Sequence, residues 1–257
     1  MGLFEKLSYT KPSDQTPPDD RESTLHHAEI LKNKRFLRRI YIDFYQILQE
    51  AVGPVEGKTI LELGSGGGFI KEVIPHVITS DILPLPNVDQ VFSACRMPFE
   101  NQGLDAIVMF NVLHHIPEVR DFFREVVRCL KVGGRLAMIE PANTLFGRFI
   151  YTHFHHETFD PAGDWTFDFT GPLTSANGAL PWILFHRDRA LFQSEFPELS
   201  IVRQQHHTPL RYLLSGGFTM RQLVPGWSYP IIKGIEFCLR PVNSQIGLFE
   251  TIVLKRV

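Results

Sequence analysis

The sequence predicts an α/β fold, a mostly parallel sheet covered by helices on both faces. Three observations point there. Thr59–Leu63 is a short apolar run, as in a buried strand, and it breaks at once into Gly64, Gly66, Gly67 and Gly68. Between residues 57 and 141, further strand-like runs follow one another through short helical or turn-forming stretches. Phe122, Phe123, Val126, Val127 and Leu130 recur at helical spacing, as on a helix that lays one face on a sheet.

The elements can be taken in order. Residues 1–22 are rich in proline and charge, including Pro17-Pro18-Asp19-Asp20, and are expected to form a flexible arm. A helical segment is expected over 23–56, with Leu37, Ile40, Tyr41, Phe44, Tyr45 and Leu48 on one face. Lys32, Lys34, Arg35, Arg38 and Arg39 are read as its solvated surface, with contact to an anionic acceptor or a membrane surface as the alternative, and Gly53-Pro54 ends it. The first strand and glycine turn lead into a helix expected to reach about Pro75. Val77–Asp81 is the second strand, Val88–Phe92 a short third and Leu104–Phe110 the fourth. A helix over Val119–Leu130 stops at Gly133-Gly134, and Arg135–Pro141 is the fifth strand. Residues 142–186 depart from the alternation, apart from a helix over about 143–154, and are expected to form an insertion. A helical pattern resumes over Arg187–Phe196, Leu199–His206 is a sixth strand and Gly247–Leu254 a seventh. The stretch 208–244 between them is strongly apolar and reads as a second insertion, either core or a greasy acceptor-binding or membrane-facing surface.

Composition narrows the class of function. At 257 residues the chain can bury a substantial core. A formal net charge of -2 lacks the basic excess of a nucleic-acid binder, so no nucleic-acid partner is expected. Cys95, Cys129 and Cys238 lie far apart, which argues against a disulfide framework and fits a reducing cytoplasm. The first seven residues lack the apolar core of a secretory signal, and no run of about 18 apolar residues exists to span a membrane.

The glycine turn carries the chemistry. Strand, glycine turn and helix form a usual cradle for a nucleotide-like ligand, because glycine lets the backbone approach it closely. A dinucleotide fingerprint would need glycine where Phe69 stands, and no Gly-Lys-Ser/Thr ends the turn as a phosphate loop requires. What stands here is Glu-x-Gly-x-Gly-x-Gly at Glu62, Gly64, Gly66 and Gly68. About 20 residues past the turn Asp81 ends the second strand, where a carboxylate can accept from both ribose hydroxyls.

This constellation, with Ser93-Ala94-Cys95-Arg96-Met97-Pro98-Phe99 and the Asn111–Pro117 segment, resembles the class I S-adenosylmethionine-dependent methyltransferases, of the small-molecule, methyltransferase domain 11-like type. The resemblance covers about residues 57–141. It implies a Rossmann-like seven-stranded sheet of order 3-2-1-4-5-7-6 with S-adenosyl-L-methionine as cofactor, held by Glu62, Gly64, Ser65, Gly66, Gly68, Asp81, Ile82, Ser93, Ala94, Cys95, Met97 and Asn111. Family members often carry aspartate at position 93, so the serine departs from the pattern at the adenine contact.

The acceptor expected is a small molecule, a glycan or a lipid-linked intermediate, with O-methylation preferred because histidines are at hand. Candidate bases, in order, are His153, His155, His156, His115 and His114. No metal is expected, because the histidines around Glu157 match no standard zinc spacing. The expected location is cytoplasmic, with peripheral contact at the inner face of a membrane as a variant, and the oligomeric state stays open. Two other functions remain, an accessory protein that binds the cofactor without transfer, and a nicotinamide-dependent oxidoreductase.

Overall fold

The apolar stripe from Leu37 to Leu48 needs a sheet to lie on, and the strands supply one. The computed structural model describes residues 21–155, 157–169, 171 and 174–257. The expected arm over 1–20 and the candidate base His156 lie outside the described residues.

Two helices, α1 (Arg21–Asn33) and α2 (Arg35–Val52), precede β1 (Ile60–Leu63). Arg21 and Glu22, which the sequence assigned to the arm, belong to α1, and the expected single helix is broken. The break is at Lys34, whose side chain does not join a solvated basic face. It is buried, and its ammonium donates to the Gly217 carbonyl at 2.6 Å and to that of Met220. Burial lowers its pKa to about 8.

After the glycine turn comes only a helical turn, Ile70–Glu72, rather than a helix to Pro75. The remaining core elements are β2 (Ile78–Asp81), β3 (Gln90–Val91), β4 (Leu104–Phe110), α3 (Val119–Cys129) and β5 (Leu130–Pro141). The insertion holds α4 (Leu145–Phe154) and a helical turn at Leu180–Trp182 that runs into a π turn, Ile183–Arg187. Then follow α5 (Arg189–Glu195), β6 (Leu199–His207), α6 (Arg211–Ser215), α7 (Tyr229–Cys238), α8 (Asn243–Ile246) and β7 (Phe249–Arg256).

The sheet has seven strands in the order β3-β2-β1-β4-β5-β7-β6, as the resemblance implied. The first five pair in parallel, and β7 runs antiparallel to both β5 and β6. Alternation sorts side chains onto two faces. Leu61, Leu63, Ile107, Met109, Leu136, Met138, Ile252 and Leu254 pack with α3, the π turn and α5. Ile60, Ala106, Val108, Ala137, Ile139 and Val253 pack with α2 and with Tyr229 and Ile232 of α7. The 208–244 stretch therefore serves partly as core, while Trp227, Ile231, Ile235 and Phe237 stay exposed. Among the described residues no helix is long and apolar enough to cross a membrane.

Two positions break the apolar rule of the first face. Glu140 continues the Leu136–Met138 alternation to the end of β5, and Glu250 stands opposite it on β7. Both are essentially fully buried, at 0% and 1% exposure. A buried carboxylate needs partners, and these two gather histidines at the C-terminal edge of the parallel strands.

Candidate active site

Open α/β sheets bind ligands beyond the carboxyl ends of their strands, and the glycine turn lies there. Gly64 has φ +65°, and a Cβ on it would overlap Val112 Cγ2. A Cβ on Gly67 would come 2.7 Å from the backbone nitrogen of Ala28, so α1 lies directly on the turn. The turn is also tied to the second strand. Gly66 N–H donates to Asp81 Oδ2 at 2.8 Å, and Leu83 N–H donates to Asp81 Oδ1 at 2.9 Å. These bonds orient the carboxylate and use two of its roughly four acceptor positions, leaving the others for ligand hydroxyls. Asn87, which the sequence did not single out, donates to the carbonyls of Gly66 and Gly68 at 3.2 and 3.1 Å.

Glu62 lies beneath the turn and accepts from the Ser65 hydroxyl at 2.5 Å. Burial raises its pKa to about 7, against the lowering effect of that bond. Ile82 is half exposed beyond Asp81. Ser93 is exposed and turns its oxygen onto its own loop, accepting from Cys95 N–H at 3.3 Å. Ala94 and Cys95 pack against the core, and burial pushes the Cys95 thiol up. Met97 is buried in that core, with its N–H held by Glu125 at 2.7 Å.

Asn111 follows β4, level with the start of the glycine turn through the Leu63–Met109 rung. Its φ of +54° is unusual for a side chain other than glycine. Its Oδ1 is buried with no hydrogen-bond partner, and so is Thr24 Oγ1, from the helix resting on the turn. Strain and orphaned acceptors of this kind mark functional positions. Two unfilled acceptors, a carboxylate fixed by backbone donors and a turn with no room for Cβ atoms together suit a cationic, hydroxyl-rich nucleoside such as S-adenosylmethionine.

The second half of the site is a charged cluster that the insertion completes. Glu140 Oε1 accepts from Val112 and Leu113 N–H at 2.9 and 2.8 Å, and its Oε2 lies 2.6 Å from His114 Nδ1. His114 Nε2 faces Glu157 Oε2 at 3.4 Å. Burial alone would depress the His114 imidazole. The charges and hydrogen bonds of the two glutamates outweigh it and raise the pKa to about 10. Glu157 is likewise held well below the usual carboxylate range by His114, His115 and His155, despite its burial.

His115 is the counterpart. Its Nδ1–H donates to the Ser175 carbonyl at 3.0 Å, which leaves Nε2 with a lone pair, 3.8 Å from Glu157 Oε1. Burial and the neighbouring His114 charge lower its pKa to about 4. His155 Nδ1 lies 3.7 Å from Glu157 Oε2. Of the predicted bases, the structure therefore brings together His114, His115 and His155. His153 stays apart, exposed, with its ring bonded to the Phe149 carbonyl of its own helix at 2.9 Å. The sequence reading missed Glu140, whose signal was a charge at the buried end of an alternating strand. It noticed Glu157 only as a neighbour of histidines.

Comparison with known proteins fits this geometry. A family model described as a methyltransferase domain matches residues 61–138. The chain is 26% identical over 127 residues to a demethylmenaquinone methyltransferase of Renibacterium salmoninarum, covering 42% of this chain and 53% of that one. It is 25% identical over 117 residues to a ubiquinone biosynthesis O-methyltransferase of Paramagnetospirillum magneticum, covering 38% and 47%. It thus spans about half the length of the curated relatives it matches. Among solved structures, a SAM-dependent methyltransferase of Thermotoga maritima superposes with a TM-score of 0.51 at 13% identity, over 89% of this chain and 99% of that one. That likeness is one of fold. With the turn, the strand order and the family match in agreement, residues 61–138 resemble a methyltransferase domain, within a chain that carries the seven-stranded class I methyltransferase fold.

Proposed function

We propose that this chain is an S-adenosyl-L-methionine-dependent methyltransferase that transfers a methyl group to an oxygen of a small molecule. The observation that carries the reading is Glu157. The insertion after β5 brings it onto His114 and His115 in the turn that follows β4, three and four residues past Asn111, whose side-chain oxygen is orphaned.

The cofactor, when bound, supplies an electrophilic methyl carbon. Asp81 would accept from its ribose hydroxyls, and Asn111 Oδ1 would accept from its ammonium group. The chain's remaining task is to position the acceptor and move one proton. Orientation of reacting atoms can contribute roughly 7–11 kcal/mol. A hydroxyl acceptor also needs a base, typically worth about 10²–10⁴-fold. His115 Nε2 fits that role, because it is neutral near pH 7 and its tautomer is fixed by Ser175. His114, held as an imidazolium between two carboxylates, would anchor Glu157 rather than accept a proton. Glu157 in turn would stabilise the proton that His115 receives.

We further infer an acceptor of quinol or phenol type with an apolar tail. Trp227, Ile231 and Ile235 form an exposed stripe at four-residue steps at and along α7, with Lys233 and Arg240 close in sequence. Such a surface suits a lipid-like tail or the membrane that carries it. The names of the relatives above, one for demethylmenaquinone and one for ubiquinone biosynthesis, support an acceptor of quinone type, and the second alone names an O-methyltransferase.

The test has two stages. Calorimetric titration with S-adenosylhomocysteine should show one binding site, and its absence would end the cofactor assignment. Release of S-adenosylhomocysteine is then followed with short-tailed and long-tailed quinols. His115→Ala should lower kcat by about 10²–10³-fold while binding of the product cofactor stays unchanged. Binding without turnover on any phenol or quinol would instead favour an accessory, non-catalytic protein.

A further inference from the structure

One strand away from the His114–Glu140 pair, a second histidine–carboxylate group takes no part in the proposed transfer. We propose that His186, His206 and Glu250 form a binding site for a divalent transition-metal ion of the zinc type. His186 comes from the π turn, His206 from β6 and Glu250 from β7. The register places His206 directly opposite Glu250, on the same face of the sheet.

The distances suit a shared ion. His186 Nε2 lies 2.9 and 3.0 Å from the two Glu250 oxygens, and His206 Nε2 lies 3.9 Å from Glu250 Oε2. One ligand atom from each residue falls within 4.8 Å of the others. Zinc binds imidazole nitrogen and carboxylate oxygen at about 2.0–2.2 Å, so its ligand atoms stand roughly 3–4 Å apart. Two imidazoles and one carboxylate with open positions is a recurrent set for borderline transition metals.

Two carboxylate oxygens and an amide nitrogen compete for one ring nitrogen in this group. Arg189 donates to Gln204 Oε1 at 2.8 Å, which turns the Gln204 amide nitrogen toward His186 Nε2 at 2.9 Å. If His186 Nε2 carries a proton for Glu250, two donors meet head-on. If it is bare, it can accept from the Gln204 amide, but the two Glu250 oxygens then face the same lone pair without a donor from the ring. A cation on that lone pair resolves the conflict, and the Gln204 amide then has Glu250 Oε1, 3.4 Å away, to donate to. Among the described residues, the hydrogen-bond and ion-pair partners of Glu250's side chain are the two histidines and Gln204, with no lysine or arginine among them.

The site is also reachable. Both histidines are partly exposed, and His206 and Gln204 line an open cleft of ≈ 280 Å³ with Gln205, Arg240, Asn243 and Ser244. A three-ligand site beside such a cleft leaves a coordination position for water or an anionic oxygen. The π turn that carries His186 is a helix irregularity often found at functional positions. Sequence spacing hid the set, because 20 residues separate His186 from His206 and 44 separate His206 from Glu250.

The experiment is titration of the untagged full chain, freed of metal, with Zn²⁺ against a chromophoric chelator and with Co²⁺ read by its visible absorption. One equivalent should bind. His206→Ala and, separately, His186→Asn should each weaken binding by about 100-fold or more, with circular dichroism confirming that each variant is folded. His115→Ala, in the other histidine group, should leave the affinity unchanged. The absence of saturable binding below roughly 1 mM would overturn the proposal. So would a site that survives in a folded His206→Ala or His186→Asn variant, or one lost in His115→Ala.

Discussion

At the scale of single residues, Asp81 is held in place before any ligand arrives. Its two oxygens accept from Gly66 and Leu83 N–H, so the carboxylate is already oriented by the backbone. Hydrogen bonds to a charged group contribute about 1.5–3 kcal/mol each. Asp81→Asn should therefore weaken S-adenosylhomocysteine by about 10–100-fold in calorimetric titration. Unchanged affinity would remove the ribose assignment. The places of Asp81 at the end of β2 and Asn111 just past β4 were legible in the sequence, because each is fixed by its distance from a recognisable turn or strand end. The His114–Glu140 pair was not. A strand end can look apolar on average while one carboxylate faces inward, and nothing local says which histidine will meet it 26 residues away.

At the scale of elements, the strands were legible and the joints between helices were not. Apolar runs and turns mark strands directly, whereas the periodic pattern of α2 gives no sign that the chain breaks just before it. The break exists because Lys34 serves two carbonyls of the Gly217–Met220 loop, a contact 183 residues distant for Gly217. That contact links three elements. α1 rests on the glycine turn through Ala28, His27 of α1 stacks on Phe218, and Lys34 ties the junction to the loop on either side of Phe218. Lys34→Met keeps the apolar stem but strips the two carbonyls of their donor. Leaving buried acceptors unpaired costs about 1–3 kcal/mol. The variant should lose that much stability in denaturant unfolding, and amides of α1 and of residues 216–221 should exchange faster. Exchange rates unaltered in both segments would show that Lys34 does not brace them.

At the scale of the whole molecule, the fold places opposed titrations within one network, and their signs differ. His115 is depressed to about 4, so the stability it contributes is present above its unfolded value near 6.5 and is lost as pH falls through 4. Glu157, also depressed, acts in the same direction from its ordinary carboxylate value downward. His114 is raised to about 10. Its contribution is complete below 6.5 and is lost as pH rises toward 10, because the folded state then binds a proton that the unfolded state has released. Glu62, raised to about 7, loses its contribution between about 4.5 and 7. Only His114 among these four acts mainly between pH 7 and 10. Thermal unfolding of the full chain should accordingly show a His114-dependent fall in Tm across that interval, opposed above about pH 8 by Lys34, whose depressed pKa acts in the other direction. His114→Gln removes the titrating ring and leaves Glu140 and Glu157 without its charge, so its Tm should be lower at pH 7. Its decline from pH 7 to 10 should nevertheless be shallower than that of the wild type. Parallel declines would mean that the imidazolium between the two glutamates is not what binds the extra proton, and the anchoring role assigned to His114 would fall with it.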